Sequence, residues 1–274
     1  MSMTISDEKI IKEKAYTLLV SAGVRSFPLR MKPVIDFLQA GNNISFIKYS
    51  TLARLMGAPV ETVGFKVGSN EAALVYCGPD KPASICYRDV NIPKARIRWN
   101  LGHEVAHFVC GHHLIRYRAK CAGLKISEYT AAKIETEANV FSREMHAPLE
   151  LVLLFMGNYK VFDRPGAFAI LRGIFQMSVP ASYYYAKRIF SKPIRELART
   201  ENAMPFTAFY HEFTSTFNRS AFEAVLRRYE PEYDMFETHL RRSALPDYRL
   251  PYQESISAIV SRVLPRNAEE VGPA

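Results

Sequence analysis

Two histidines, His103 and His107, stand four residues apart in the apolar run Leu101-Gly102-His103-Glu104-Val105-Ala106-His107-Phe108-Val109. On a helix of about 3.6 residues per turn their imidazoles lie about 40° apart on one face, one turn above the other, so both can reach a single ion. Glu104 projects about 100° round from His103. That is too far to join the same clamp and well placed to take a proton from a water molecule at the ion. The chemistry this spacing supports is metal-assisted hydrolysis with a carboxylate as general base. With 7 histidines among 274 residues, about one chain in eighty of such composition carries the three fixed residues by chance. The pattern therefore needs a second, independent group of residues behind it.

A catalytic zinc ion takes three protein ligands and leaves a position for water. The third donor is expected on a helix packed against the first, and residues 131–145 supply one, rich in strong helix formers and stopping before Pro148. Its apolar face is Ile134, Ala138, Phe141 and Met145, and it carries Glu135, Glu137 and Glu144. Glu137 is next to Ala138 at the border of that face, a costly place for an unpaired carboxylate. It is the favoured third ligand, with Glu135 second.

Residues 96–113, centred on His103-Glu104-Val105-Ala106-His107, resemble the active-site helix of the ImmA/IrrE-type metallopeptidases. The run Glu135-Thr136-Glu137-Ala138-Asn139-Val140-Phe141-Ser142-Arg143-Glu144-Met145-His146-Ala147-Pro148 is similar to that family's second motif, in which Glu-Ala-Asn-x-Phe-Ala leads into Leu-Leu-Met-Pro. The likeness covers roughly residues 8–190, and the two motifs together are far more specific than either alone. It implies a gluzincin-like zinc fold, with Glu137, which directly precedes Ala-Asn, as third ligand. It further implies an intracellular endopeptidase that cleaves a helix-turn-helix transcriptional repressor. Two departures stand out: Ser142 replaces the usual Ala, and Met145-His146-Ala147-Pro148 replaces Leu-Leu-Met-Pro. His146 is expected in a supporting or surface role. Residues after 200 have no counterpart in the family pattern.

The elements that must position these residues read as a mainly helical α+β fold, with a small antiparallel sheet packed on the zincin-like helix. Apolar spacing predicts helices over residues 7–22, 34–39 and 49–56, a strand over 44–47, and β-like runs over 62–67, 72–77 and 84–87. The motif helix should open at Pro93 or Lys94 and run to Val109, with Gly111 just past its end. Residues 112–118, His112 and His113 among them, read as a basic, irregular, solvated turn. Residues 149–156 continue apolar, 158–166 form a loop, and 167–175 and 180–190 are two short helices joined by a tight turn. This pair is helix-turn-helix-like, but Tyr183, Tyr184 and Tyr185 occupy the second helix, which favours packing or repressor docking over DNA reading. One of those tyrosines could steady an oxyanion, although core or surface is their expected place. A soft boundary near 200 separates a metallopeptidase domain, 1–199, from a mainly helical C-terminal region, 200–274. That region is helical over 217–229, then Pro-punctuated, and ends in a polar tail from Pro265.

Composition bounds the rest. Hydrophobic residues at 48% and charged residues at 23% are ordinary for a globular chain with a real core. Nothing approaches 18 consecutive apolar residues and the first residues lack a basic-then-apolar leader, so a cytoplasmic protein without membrane contact is expected. Cys77, Cys86, Cys110 and Cys121 form no Cys-x-x-Cys pair, which points to reduced, mostly buried thiols. The net charge of +9 favours an anionic partner, either an acidic protein surface or nucleic acid. A non-catalytic, DNA-associated regulator that keeps the fold is therefore the second reading.

Overall fold

The computed structural model describes residues 5–191 and 206–243. It is mainly helical with one three-stranded sheet, as the α+β reading expects. The helix α1 (Ile5–Ser21) buries Ile11, Ala15, Leu18 and Leu19 on one stripe. Glu8 and Lys12 share that stripe and are buried with it. The helix α2 (Met31–Gly41) buries Met31, Val34 and Leu38, an i, i+3, i+7 pattern that defines a single face. Strand β1 (Ile44–Lys48) leads directly into α3 (Tyr49–Met56), which ends on Gly57 in the left-handed conformation.

The run expected as a strand at 62–67 is a helix, α4 (Val60–Val67). Pro59 opens it and Gly68, at φ 79°, closes it. Val60, Val63 and Val67 repeat at i, i+3, i+7 and pack on Tyr49, Ala53 and Cys86. Side-chain packing thus overrides the β-branched composition that suggested a strand.

Strands β2 (Ala72–Val75) and β3 (Ala83–Tyr87) complete the sheet in the order β1-β3-β2. Leu74 pairs antiparallel with Ile85, but Ile44 pairs parallel with Ala83. The sheet is therefore mixed, not antiparallel, because α3, α4 and β2 together form the crossover that a parallel pair requires. Successive residues of β3 serve opposite faces: Ile85 enters the main core and Cys86 the small cluster under α3 and α4.

The motif helix α5 (Lys94–Val109) packs against the sheet on one side and against α7 (Glu128–His146) on the other. Gly102 allows the close approach of α5 and α7. A Cβ there would lie 2.6 Å from His146 Cε1 and 2.9 Å from Ser142 Oγ. Ser142 Oγ donates to the Trp99 carbonyl across the same contact, 3.2 Å away. This is the position where the family pattern has Ala.

Between them lies α6 (His112–Cys121), a regular helix where the sequence suggested an irregular turn. Ser127 caps α7 by accepting from the Thr130 amide. The chain continues through α8 (Leu149–Tyr159), α9 (Arg164–Gly173), α10 (Val179–Ile189), α11 (Thr207–Thr216) and α12 (Arg219–Ser243). The last of these runs on through Pro231, well past the stretch expected to be helical.

The expected boundary near 200 and the polar tail lie outside the described residues. The two helices after it share the main core. Phe155 of α8 meets Phe209, Tyr210 and Phe213, and Tyr159 stacks on Phe222 with ring centroids 4.0 Å apart. Tyr183 of α10 packs on Tyr233 and Phe236. With Tyr183 and Tyr185 buried, α10 turns much of its apolar surface inward onto these helices. Among the described residues no helix is long and apolar enough to cross a membrane.

Candidate metal centre

His103 and His107 rise from the buried half of α5, and both rings are almost fully enclosed. Their Nε2 atoms face each other at 3.1 Å. Glu135, from the second turn of α7, closes the triangle. Its Oε2 is 3.1 Å from His103 Nε2 and its Oε1 3.5 Å from His107 Nε2. Two ligands of a tetrahedral ion held at ~2.0–2.1 Å are separated by about 3.3 Å. The two Nε2 atoms are 3.1 Å apart and Glu135 meets each through a different oxygen, at 3.1 and 3.5 Å, and one donor atom from each residue lies within 4.8 Å of the others, a group able to hold a metal ion.

Glu137, the favoured third ligand, is not part of this triangle. Its Oε2 lies 2.9 Å from His112 Nε2, and Lys133 approaches its other oxygen at 3.7 Å. The reason is helical phase. The face of α7 against α5 is marked by Ser142 and His146, which meet Trp99 and Gly102. Glu135 is seven residues before Ser142, about 20° from it in projection, whereas Glu137 is five before, about 140° away. Standing next to Ala138 in sequence does not put Glu137 on the contact face, because one residue is a turn of about 100°. The signal that would have selected Glu135 was the pair of small residues Gly102 and Ser142, read as the helix contact and followed back two turns.

The electrostatics agree with a ligand set. Burial drives the His107 imidazole down to about 4, despite the nearby Glu135 carboxylate, which opposes the shift. Its ring is therefore neutral with a lone pair to offer near neutral pH. Burial alone would raise the Glu135 carboxyl, but His103 and His107 more than offset it and hold Glu135 well below the usual carboxylate range. Arg116 of α6 donates to Glu135 Oε1 at 2.6 Å from the solvent side.

Glu104 reaches the edge of the sheet through one of its carboxylate oxygens. Its Oε2 accepts the Leu74 amide at 2.8 Å. Because β2 is an edge strand, that amide has no neighbouring strand on its outer side. Burial raises the Glu104 carboxyl, partly offset by His103 and the Leu74 amide, with Glu135 adding a smaller upward push. A carboxyl so placed is a better proton acceptor than one in water. Glu71 at the start of β2 accepts from Arg96 and from Asn100 Nδ2 (2.8 Å), locking α5 to the strand that carries Leu74.

His112, expected in a solvated turn, is 1% exposed and sits directly behind His107, with the two Nδ1 atoms 3.0 Å apart. Gly111, at φ 75°, turns the chain so that His112 returns beneath the motif helix. His113 stacks on Phe108 and meets Tyr76 edge-on. His146 is buried with Nδ1 2.7 Å from the Ser142 carbonyl, and does not join the triangle. Two of the three candidate tyrosines are engaged elsewhere. Tyr185 donates to the Ala147 carbonyl, and Tyr183 packs against Tyr184 and α12. Of the cysteines, Cys86 is buried and Cys110 partly so, whereas Cys77 and Cys121 are exposed and all four are free.

No protein-family model matches the chain, and comparison with curated proteins returns no match either.

Proposed function

We propose that this chain is a cytoplasmic zinc-dependent endopeptidase that cleaves a helix-turn-helix transcriptional repressor. The observation that supports it most directly is the convergence of one donor atom each from His103, His107 and Glu135, with the raised carboxyl of Glu104 next to His103 in the same helix. The resemblance of both motifs to the ImmA/IrrE-type peptidases supports zinc and the repressor substrate, and the +9 charge suits an acidic protein surface. Zinc bound there would supply Lewis acidity toward a carbonyl and lower the pKa of water to ~7.

The chain's own residues divide the remaining work. Glu104 takes a proton from the attacking water, and the water oxygen bonds to the scissile carbonyl carbon. As the C–N bond breaks, Glu104 returns that proton to the leaving amine. The Leu74 amide keeps the Glu104 side chain in one orientation through both transfers. Glu135 and the two histidines stay deprotonated at their ligating atoms.

Purified protein should contain stoichiometric zinc and cut a candidate repressor. Glu104→Gln should retain the zinc, because Gln is not needed in the ligand set, and lose about 10²–10⁴-fold in rate. Metal-free wild-type protein that shifts DNA with a steep salt dependence would instead establish the non-catalytic regulator.

A further inference from the structure

We infer that Glu137 and His112 form a hydrogen-bonded relay that selects the metal-binding tautomer of His107 and fixes the orientation of its ring. This rests on the reading of His103, His107 and Glu135 as a site for a divalent cation.

The argument is a count of protons along one line of atoms. Glu137 Oε2 lies 2.9 Å from His112 Nε2, His112 Nδ1 lies 3.0 Å from His107 Nδ1, and His107 Nε2 faces His103 and Glu135. A carboxylate only accepts, so His112 Nε2 carries a hydrogen. A neutral His112 then presents a bare Nδ1, and the 3.0 Å contact requires the hydrogen between the rings to come from His107 Nδ1. His107 Nε2 is left with its lone pair directed into the triangle, which is the form that ligates a metal.

The relay is built into the fold. His112 is almost wholly enclosed, and Glu137 is mostly covered, with Lys133 at its outer oxygen. A carboxylate acting on a metal ligand through a hydrogen bond is a common arrangement, and losing it costs about 10–100-fold in metal affinity. Here a second imidazole is interposed, so Glu137 acts on His107 at one remove. Glu137 is therefore a positioning residue. The carboxylate that resembled a third ligand supports a ligand instead.

The test uses the full chain, stripped of metal and titrated with zinc against a chelator of known affinity. Glu137→Ala should weaken zinc binding about 10–100-fold. Glu137→Gln, which keeps an acceptor for His112 Nε2, should recover most of that loss. Long-range proton–nitrogen correlation on metal-free protein should show His107 as the Nδ1–H tautomer in wild type and a mixture in Glu137→Ala. A general structural role would not move that signal. Melting of the metal-free variants checks that both remain folded. Wild-type affinity and an unchanged tautomer in Glu137→Ala would overturn the relay and leave the metal site standing. A wild-type chain that binds no zinc would instead overturn the reading of the site itself.

Discussion

Helix α7 enters two clusters of buried titratable groups, and the clusters differ in how charge is balanced. Near its start, Glu135 meets the two imidazoles of His103 and His107, whose Nε2 atoms face each other, with the half-exposed Arg116 on its other side. Near its end, Arg143 donates to Glu8 at 2.8 Å and to Glu144 at 3.1 Å, with Arg188 also on Glu8. Lys12 and the Tyr16 hydroxyl hold Glu150, and Glu144 also accepts the Leu149 amide. Three acids there meet three cations, and the Tyr185 ring covers the Arg143 guanidinium. The second cluster matches its charges one for one and ties α1, α8 and α10 to α7. The first gathers acceptors around a point that could hold a cation. Buried charge alone does not mark a functional site; unbalanced convergence of donor atoms does.

The contrast can be broken at either end of the helix. The largest effect is expected for Glu135→Ala, which should lower zinc affinity by more than ~100-fold, beyond the range for an outer partner. Melting of the metal-free protein should hardly change, since the side chain is partly exposed and its ion pair with Arg116 lies at the surface. Equilibrium dialysis and thermal unfolding read the two quantities separately. Arg143→Ala should do the reverse. It leaves Glu8 and Glu144 without their shared cation and should cost about 3–5 kcal/mol of stability in denaturant unfolding. Zinc stoichiometry should be unchanged in whatever fraction remains folded. If Arg143→Ala lost metal at full stability, the two clusters would not be independent.

A smaller effect sharpens the comparison from the side of pH. Burial lowers the His146 imidazole from its ordinary 6.5 to about 4. Between those values the unfolded chain takes up a proton that the folded chain refuses. Stability is therefore complete above about 6.5 and falls as the pH drops toward 4, by on the order of 3 kcal/mol. In His146→Gln this contribution is gone, so the variant's stability should fall less than the wild type's over that window and the difference between the two curves should change with pH. A parallel pair of curves would show that His146 is not held neutral by burial.

Much of the centre was legible because it is local. His103, Glu104 and His107 lie within one helix, so their relative directions follow from helical geometry and need no knowledge of the rest of the chain. The pairing of that helix with a glutamate-bearing helix was also readable from the second motif. Which glutamate was not. One residue on a helix is a turn of about 100°, so the choice between Glu135 and Glu137 depends on how α7 is rotated against α5. The close approach at Gly102 and Ser142 sets that rotation.

The same division runs through the whole chain. Helices with a clear apolar stripe, such as α1, α2, α5 and α7, were determined by residue order, because burying one face is a demand the sequence states directly. Whether residues 60–67 pair as a strand or coil onto Tyr49 and Ala53 was decided by partners distant in sequence. Long-range contacts also decided that β1 joins the sheet in parallel and that His112 folds back under His107. Sequence alone determined which residues could bind a cation. Tertiary packing decided which of them meet, because convergence of side chains from different helices depends on the rotation and register of elements whose contacts are not local.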